Sequence, residues 1–404
     1  MSKLFNGNSL DQLKNLEANS IDSIVCDPPY GLSFMGKKWD YDVPSVAIWR
    51  ECLRVLKPGG HLLAFGGTRT YHRMVVNIED AGFEIRDQVM WIYGSGFPKS
   101  HDASKGIDKM NGAKRKVIGI RKESGPDFSD EQFTQQGSMM KTHTKAPRTQ
   151  IEITQAATET AKLWDGWGSA LKPANEPICM ARKPLQGPIA ENLVRHGTGG
   201  LNIDESRVGD EVRVNQSASS IFGTDMDKAS AKVATGRWPS NVILDEEAAE
   251  LLGAAQRFFY VSKPNAKEKN AGLEGMKKRE APGSKRSAPA EGRSSALGEP
   301  RENFHPTVKP VTLMGYLIKM VTPKDGTVLD PFMGSGSTGV AAKHLGFNFV
   351  GVELSPEYFE IAKARIKKAS KILEMPNDRV RAKVAFTLAK RKALKAKKAK
   401  SLTR

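Results

Sequence analysis

Apolar residues along this chain come in short unbroken runs separated by stretches with helical spacing. Residues 21–26, His61 to Phe65, Thr327 to Asp330 and Asn348 to Val352 read as strands with little alternation, the pattern of strands covered on both faces. Lys3-Leu4-Phe5-Asn6 is a further short strand, and Phe83 to Tyr93 is another with an apolar second half. Between them, Leu10, Leu13 and Leu16 share one helical face, as do Val46, Trp49, Leu53 and Leu56. Ser9 can cap the first of these helices, and Pro44 can open the second. Lys57-Pro58-Gly59-Gly60 stops it. A third helix is predicted over about 69–81, ending at Gly82. Pro310 starts a helix through Leu313, Leu317, Ile318 and Met320. Another runs from about Ser337 to His344, and Pro356 opens a long one to about Leu373. Strands alternating with helices imply an α/β fold with a parallel or mostly parallel sheet.

The pattern breaks between these blocks. Residues 94–170 are polar, with few apolar clusters. Glu176 to Arg182 resembles one further strand. Residues 185–260 give mixed short signals, among them Trp238 to Leu244 and a helix-like 246–253. Residues 262–302 hold almost no bulky apolar side chain and read as a flexible loop or linker. Trp164, Trp167 and Trp238 are expected to anchor small hydrophobic clusters.

Composition narrows the function. The chain has 404 residues, 39% of them hydrophobic, and a net charge of +17. Such a balance points to a polyanionic partner, most simply nucleic acid. Residues 381–404 carry +10 of that charge and no acid, either as a DNA-tracking arm or as a solvated tail. Three cysteines without close pairs exclude a disulfide framework and a cysteine-rich zinc site, and fit a reducing cytosol. No metal site is expected. No apolar run is long enough to span a membrane, and the N-terminus lacks a signal-peptide core.

Two stretches carry candidate chemistry. The first is Asp27-Pro28-Pro29-Tyr30, directly after the strand 21–26. Two prolines cannot extend a sheet ladder, so Asp27 and Tyr30 fall at a strand's carboxyl end, where open α/β sheets bind ligands. A carboxylate accepts hydrogen bonds only, and the Pro28 carbonyl is a second acceptor beside it. Two adjacent acceptors suit an amino group with two hydrogens, and Tyr30 offers a flat face for a planar ring. The same four residues also suit a tight turn bearing a surface acid. The second stretch is Asp330-Pro331-Phe332-Met333-Gly334-Ser335-Gly336, between a strand and a helix. Its glycines permit sharp bends and close approach to a ligand. Glu353 ends the next strand, about 20 residues on, where an acid can bond both hydroxyls of a ribose. No lysine precedes Ser337 or Thr338, so the loop fails the Walker pattern.

Asp27-Pro28-Pro29-Tyr30 followed far downstream by Phe332-Met333-Gly334-Ser335-Gly336 resembles the amino-group DNA methyltransferases, which modify adenine N6 or cytosine N4. The order, catalytic motif before cofactor motif, is similar to the circularly permuted beta group of that family. His305 to Pro310 is similar to the segment preceding the cofactor strand. The resemblance implies a three-layer, doubly wound, mostly parallel sheet with polar insertions, the class I S-adenosylmethionine-dependent methyltransferase fold. It implies S-adenosylmethionine as cofactor, lined by Phe332, Gly334 and Gly336, with Glu353 on its ribose and Asp330 near its methionine end. Thr307 and Lys309 would contribute from the preceding segment. Asn8 stands where the family often has an acid near the cofactor's adenine.

The expected organisation is a catalytic half over 1–97, an insertion over 98–171, a sheet strand over 172–184 and a target-recognition insertion over 185–302 whose linker is 262–302. A cofactor-binding half over 303–373 and a basic tail over 374–404 complete it. The target base would be flipped out of double-stranded DNA and stacked on Tyr30. Asp27 and the Pro28 carbonyl would accept its amine hydrogens, with Pro29 fixing the turn, for direct in-line transfer without a covalent enzyme intermediate. Cys26, turned into the sheet, reads as a core residue rather than a nucleophile, as do Cys52 and Cys179. Asp at the first motif position resembles the adenine group. N4-cytosine transfer is the alternative, and a non-catalytic nucleic-acid binder of the same fold a further one. Trp91, Phe97, Lys99, Ser100 and His101, just past the sheet edge, are expected to contact DNA. A cytoplasmic location in a bacterium or phage-infected host, compatibility with a homodimer, and any restriction nuclease on a separate chain complete the expectations.

Overall fold

The computed structural model describes residues 1–32, 40–94, 100–122, 150–215, 232–262, 270–276, 278, 302–305 and 307–370. The flexible linker, apart from a few residues, and the whole basic tail lie outside the described residues, as do Phe97 and Lys99. The chain divides into two units, one of residues 1–95, 174–277 and 305–404, the other of residues 96–173 and 278–304.

The larger unit is built on β1 (Ser2–Asn6), β2 (Ile21–Cys26), β3 (Leu56–Phe65) and β4 (Glu84–Ile92) from its first segment. The smaller unit contributes β5 (Lys116–Lys122) and β6 (Gln150–Gln155). The larger unit continues with β7 (Asn175–Arg182), β8 (Val208–Asn215), β9 (Lys232–Arg237), β10 (Val242–Asp245), β11 (Tyr260–Ser262), β12 (Thr327–Asp330) and β13 (Asn348–Glu353). Nine of these strands form one sheet in the order β1-β13-β12-β2-β3-β7-β4-β10-β11. Each neighbouring pair is parallel except those made by β7, which runs against both β3 and β4. The late pair β12 and β13 thus lies between β1 and β2, the spatial signature of a permuted chain.

Alternate side chains of the central strands go to opposite faces, and each face has its own helices. Val25, Leu63, Phe65, Ile178 and Met180 belong to one core cluster. It also takes in residues of α9 (Val311–Val321), α10 (Ser337–Leu345) and α11 (Pro356–Lys368). Ile24, Cys26, Leu62, Ala64, Cys179 and Ala181 belong to the other. That cluster is covered by α1 (Ser9–Leu13), α2 (Val46–Val55) and α3 (Tyr71–Asp80). The three cysteines are buried free thiols, as expected of core residues. The result is a three-layer α/β fold whose strands are buried on both faces.

Two sequence expectations change. Residues 242–262 were grouped with an insertion, yet Val242 to Leu244 register with Met90 to Ile92, and Ile243 to Asp245 register with Tyr260 to Ser262. The apolar run is a buried parallel strand, with α8 (Glu246–Leu251) capped by the Asp245 carboxylate behind it. Trp164, Trp167 and Trp238 are 43%, 61% and 64% exposed, so none of them is a buried anchor. Trp164 and Trp167 meet edge to face, and Arg207 lies over Trp238. Two predicted helices are also shorter: α1 stops at Leu13 and α11 at Lys368.

The polar stretch that showed little periodicity does form structure. In the smaller unit, α4 (Ala103–Met110) and α5 (Glu159–Leu163) accompany an antiparallel β5–β6 pair. A buried carboxylate organises it. Asp108 accepts hydrogen bonds from the Ala157 and Thr158 amides, the Thr158 hydroxyl and the Arg115 guanidinium. Polar contacts of this kind leave no apolar period to read. In the larger unit, α6 (Ile189–His196) and α7 (Ile203–Ser206) precede an antiparallel β8–β9 pair.

Gly336 caps the start of α10 with φ of +80°, and a Cβ there would come within 3.0 Å of the Ala362 Cα on α11. Gly336→Ala is expected to lower the free energy of unfolding by about 1–3 kcal/mol through left-handed strain and overpacking, measured by urea denaturation.

Candidate active site at the carboxyl rim of the sheet

β2 and β12 are adjacent and parallel, with Val328 opposite Ser23 and Leu329 opposite Ile24. Their carboxyl ends therefore open on one rim, and both motifs follow directly from them. Asp27 leaves β2 there and Asp330 closes β12, while β13 beside β12 brings Glu353 to the same edge. Asn6 at the end of β1 registers with Glu353 and donates from its side chain to the Glu353 carbonyl at 2.7 Å.

The first motif forms a tight turn held from outside. The Asp40 carboxylate accepts from the amides of Tyr30 at 2.6 Å, Gly31 at 3.0 Å and Leu32 at 3.3 Å. The Thr70 hydroxyl donates to the Tyr30 carbonyl. Gly67, just past β3, lets Tyr30 approach, since a Cβ there would lie 3.1 Å from its ring. Asp40 shows no periodic signal in the sequence, and its role as a turn anchor appears only in three dimensions.

A compact charged cluster surrounds the Asp27 carboxylate. The Tyr30 hydroxyl lies 2.8 Å from Asp27 Oδ1 and 2.9 Å from Glu176 Oε2. The Lys309 ammonium lies 2.7 Å from Asp27 Oδ2, 3.1 Å from Glu176 Oε2 and 3.2 Å from the Tyr30 oxygen. Its Nζ also stands 4.9 Å from the centroid of the Phe65 ring. Lys309, Asp27 and Glu176 side chains are 9%, 19% and 22% exposed. Burial works to lower the Lys309 pKa, but the carboxylates of Asp27 and Glu176 overcome it and hold the ammonium above the ordinary lysine value. Burial first, then the same two carboxylates, pushes the Tyr30 phenol well up, so it stays protonated. Lys309, expected from the family pattern to contribute beside the cofactor, bonds the acid of the first motif.

Glu176 was missed from the sequence as a site residue. It starts β7, and β7 is the reversed strand, so its beginning reaches the rim where its neighbours end. An acid opening the apolar run Pro177 to Ala181 was the available signal, but reading it required knowing the strand's direction.

The second motif is wired through its own acids. The Glu353 carboxylate accepts from the Gly334 amide and the Ser355 amide, both at 2.8 Å. Burial raises the Glu353 pKa against these bonds. Asp330 accepts from the Phe332 amide at 3.0 Å and the Thr338 hydroxyl at 2.6 Å. Burial outweighs those bonds and pushes its carboxyl to about 7, with the charges of Asp27 and Glu353 adding to the effect. Gly334 has φ of +53°, and a Cβ there would sit 2.9 Å from His305 Nε2. Phe332 packs its ring edge-on against Trp49 at 5.9 Å. Asn8 caps α1 by accepting from the Leu10 amide at 2.9 Å, and Thr307 is exposed beside His305. Trp91 packs between Phe65 and Tyr93 in the larger unit. Ser100 and His101 belong to the smaller unit, where the Ser100 hydroxyl accepts from the Ser169 amide and the His101 amide donates to the Ser169 hydroxyl. Among the described residues no cluster of His, Cys, Asp and Glu could hold a metal ion, and no helix is long and apolar enough to cross a membrane.

Comparison with known proteins identifies the family. The DNA methylase family model, which covers N6- and N4-type enzymes, matches residues 21–364, and the chain belongs to that family. Over 407 aligned residues it is 22% identical to the type II methyltransferase M.HindIII of Haemophilus influenzae, covering 90% of this chain and 94% of that one. A shorter stretch of 66 residues is 46% identical to the type II methyltransferase M2.LlaDCHI of Lactococcus lactis subsp. cremoris, 16% of this chain and 24% of that one. Among solved structures, the complex of M1.HpyAVI with SAM aligns over 91% of this chain and 99% of that chain, at 17% identity and a TM-score of 0.39. The cytosine-N4-specific PvuII DNA methyltransferase aligns over 95% of this chain and 91% of that chain, at 15% identity and a TM-score of 0.42.

Two outcomes follow for the rim. Asp40→Ala leaves the amides of Tyr30, Gly31 and Leu32 without that acceptor, and is expected to destabilise the protein by about 1–3 kcal/mol in urea unfolding. Asp330 titrates near 7 when folded but near about 3.9 when unfolded, so the folded state holds the extra proton between these values. Its contribution is full below the unfolded value and is lost as pH rises through about 7. Wild-type stability should therefore fall, relative to Asp330→Asn, between pH of about 4 and about 7, read from paired urea titrations.

Proposed function

We propose that this chain transfers a methyl group from S-adenosylmethionine to N6 of an adenine extruded from double-stranded DNA. The observation that carries the reading is that Asp27 already binds an amine: the Lys309 ammonium sits 2.7 Å from its carboxylate, on the rim shared with the second motif. The Asp27 carboxylate is thus positioned as an acceptor for nitrogen-borne hydrogens. Pro28 is buried next to it, and its carbonyl supplies the second acceptor for an amine with two hydrogens. Tyr30 gives the extruded ring a stacking partner, a contact worth about 1–3 kcal/mol. Asp at the first motif position favours adenine over cytosine.

The residues of the second motif fit the cofactor. Glu353 spends one lone pair of each carboxylate oxygen on a backbone amide and keeps others for the two ribose hydroxyls. Gly334 and Gly336 allow the left-handed turn that follows β12, and Asp330 lies nearest β2 and Asp27. The bound cofactor supplies an electrophilic methyl group on a sulfonium. The chain's own part is orientation: with both amine hydrogens fixed by Asp27 and Pro28, the nitrogen lone pair points at the transferred carbon. Phe65, Tyr30 and Trp91 make the surroundings largely apolar, which strengthens those hydrogen bonds.

Incubation with labelled cofactor and DNA, followed by digestion to nucleosides, tests the reading. Label is expected on N6-methyladenine, with Asp27→Ala reducing transfer by about 10²–10³-fold. Label on N4-methylcytosine would transfer the same geometry to the other base. No label, with a DNA mobility shift insensitive to Asp27→Ala, would identify a non-catalytic binder.

A further inference from the structure

The cluster at Asp27 poses a problem that the proposed reaction must solve. Both oxygens of the acceptor are already engaged, Oδ1 by the Tyr30 hydroxyl and Oδ2 by the Lys309 ammonium. Each oxygen keeps a further lone pair, but a target amine must share this buried carboxylate with a cation already seated on it. We propose that Glu176 is a positioning carboxylate which takes up the Lys309 ammonium and the Tyr30 hydroxyl, so that Asp27 is freed for the target amine. The inference rests on the reading of Asp27 as the amine acceptor.

Donor counting supports it. An ammonium has three hydrogens, and the three acceptors near Lys309 Nζ are Asp27 at 2.7 Å, Glu176 at 3.1 Å and the Tyr30 oxygen at 3.2 Å. Leaving Asp27 costs Lys309 one of the three and keeps a carboxylate partner. A phenol has one hydrogen, and the Tyr30 hydroxyl stands almost equally far from Asp27, at 2.8 Å, and Glu176, at 2.9 Å. It can therefore turn from one acid to the other without moving its ring. Charge counting agrees. Two carboxylates and one ammonium leave one negative charge over, so a neutral amine on Asp27 still leaves Lys309 paired with Glu176. With a neutral residue at position 176, the ammonium and hydroxyl keep Asp27 as their carboxylate in this cluster, and the buried pair closes on itself. Placement agrees as well. Glu176 and Asp27 lie at the rim ends of the strands on either side of β3, and the Tyr30 hydroxyl lies within hydrogen-bond distance of both.

The test measures single-turnover methyl transfer by the full chain on duplex DNA, with base extrusion followed separately by the fluorescence of 2-aminopurine at the target position. Glu176→Gln is expected to slow transfer by at least about tenfold, while the extrusion signal stays within about twofold of wild type. Adding Lys309→Met to Glu176→Gln removes the competing cation and is expected to raise the rate at least about threefold above the single variant. A smaller loss, a lost extrusion signal, or a double variant no faster than Glu176→Gln overturns the inference while the methylating activity stands. Should Glu176→Gln not fold, Glu176→Asp carries the test: it keeps the charge and is expected within about threefold of wild type, and a greater loss overturns the inference. A wild-type protein that puts no methyl group on DNA overturns both the inference and the reading beneath it.

Discussion

A parallel strand delivers its last residue to one edge of a sheet, and an antiparallel strand delivers its first. Eight strands of this sheet run one way and β7 runs the other, so five separated positions of the chain share a rim. Asn6, Asp27, Asp330 and Glu353 arrive at the ends of their strands, and Glu176 arrives at the start of its own. No contact between distant loops is needed to assemble them. The backbone hydrogen bonds of the sheet do it, and the two apolar layers that bury Leu63, Phe349, Leu62 and Trp49 hold those bonds in place.

Placing several acids on one rim has an electrostatic consequence, and the molecule answers it in two ways. Around Asp27 a cation is brought in: Lys309 neutralises one of two carboxylates, and the attraction exceeds the desolvation that burial imposes on it. Around Asp330 no such cation is bonded, and the pKa rises to about 7. The two acids lie at the rim ends of adjacent strands, yet only Asp27 has an ammonium bonded to it among the described residues, and Asp330 is raised to about 7. Glu353 lies between these cases, raised by burial and held by two backbone amides.

Much of this was legible in the residues themselves. Unbroken apolar runs such as Leu62 to Phe65 announce burial on both faces, and the prolines after Asp27 announce where the chain leaves the sheet. Glycines at 334 and 336 announced a bend, which the left-handed backbone at both positions explains. What stayed hidden depended on direction or on polar contacts. Glu176 matters because β7 is reversed, and strand direction leaves no mark in a run such as Pro177 to Ala181. Lys309 could be read from its motif as a cofactor neighbour, but not as the partner of an acid 282 positions earlier. The smaller unit is organised by the Asp108 carboxylate, a polar contact that leaves no apolar period. Three exposed tryptophans were mistaken for anchors because a large apolar side chain reads as buried unless its neighbours are known.

The central claim is that the Asp27 carboxylate is an amine acceptor for an extruded base. A crystal structure of the protein with duplex DNA and a non-reactive cofactor analogue tests it most directly. The account predicts the exocyclic amine of an extruded base on the Asp27 carboxylate, with the analogue along Glu353 and Gly334 on the same rim. A base amine bound elsewhere, with Lys309 still seated on Asp27, would contradict it.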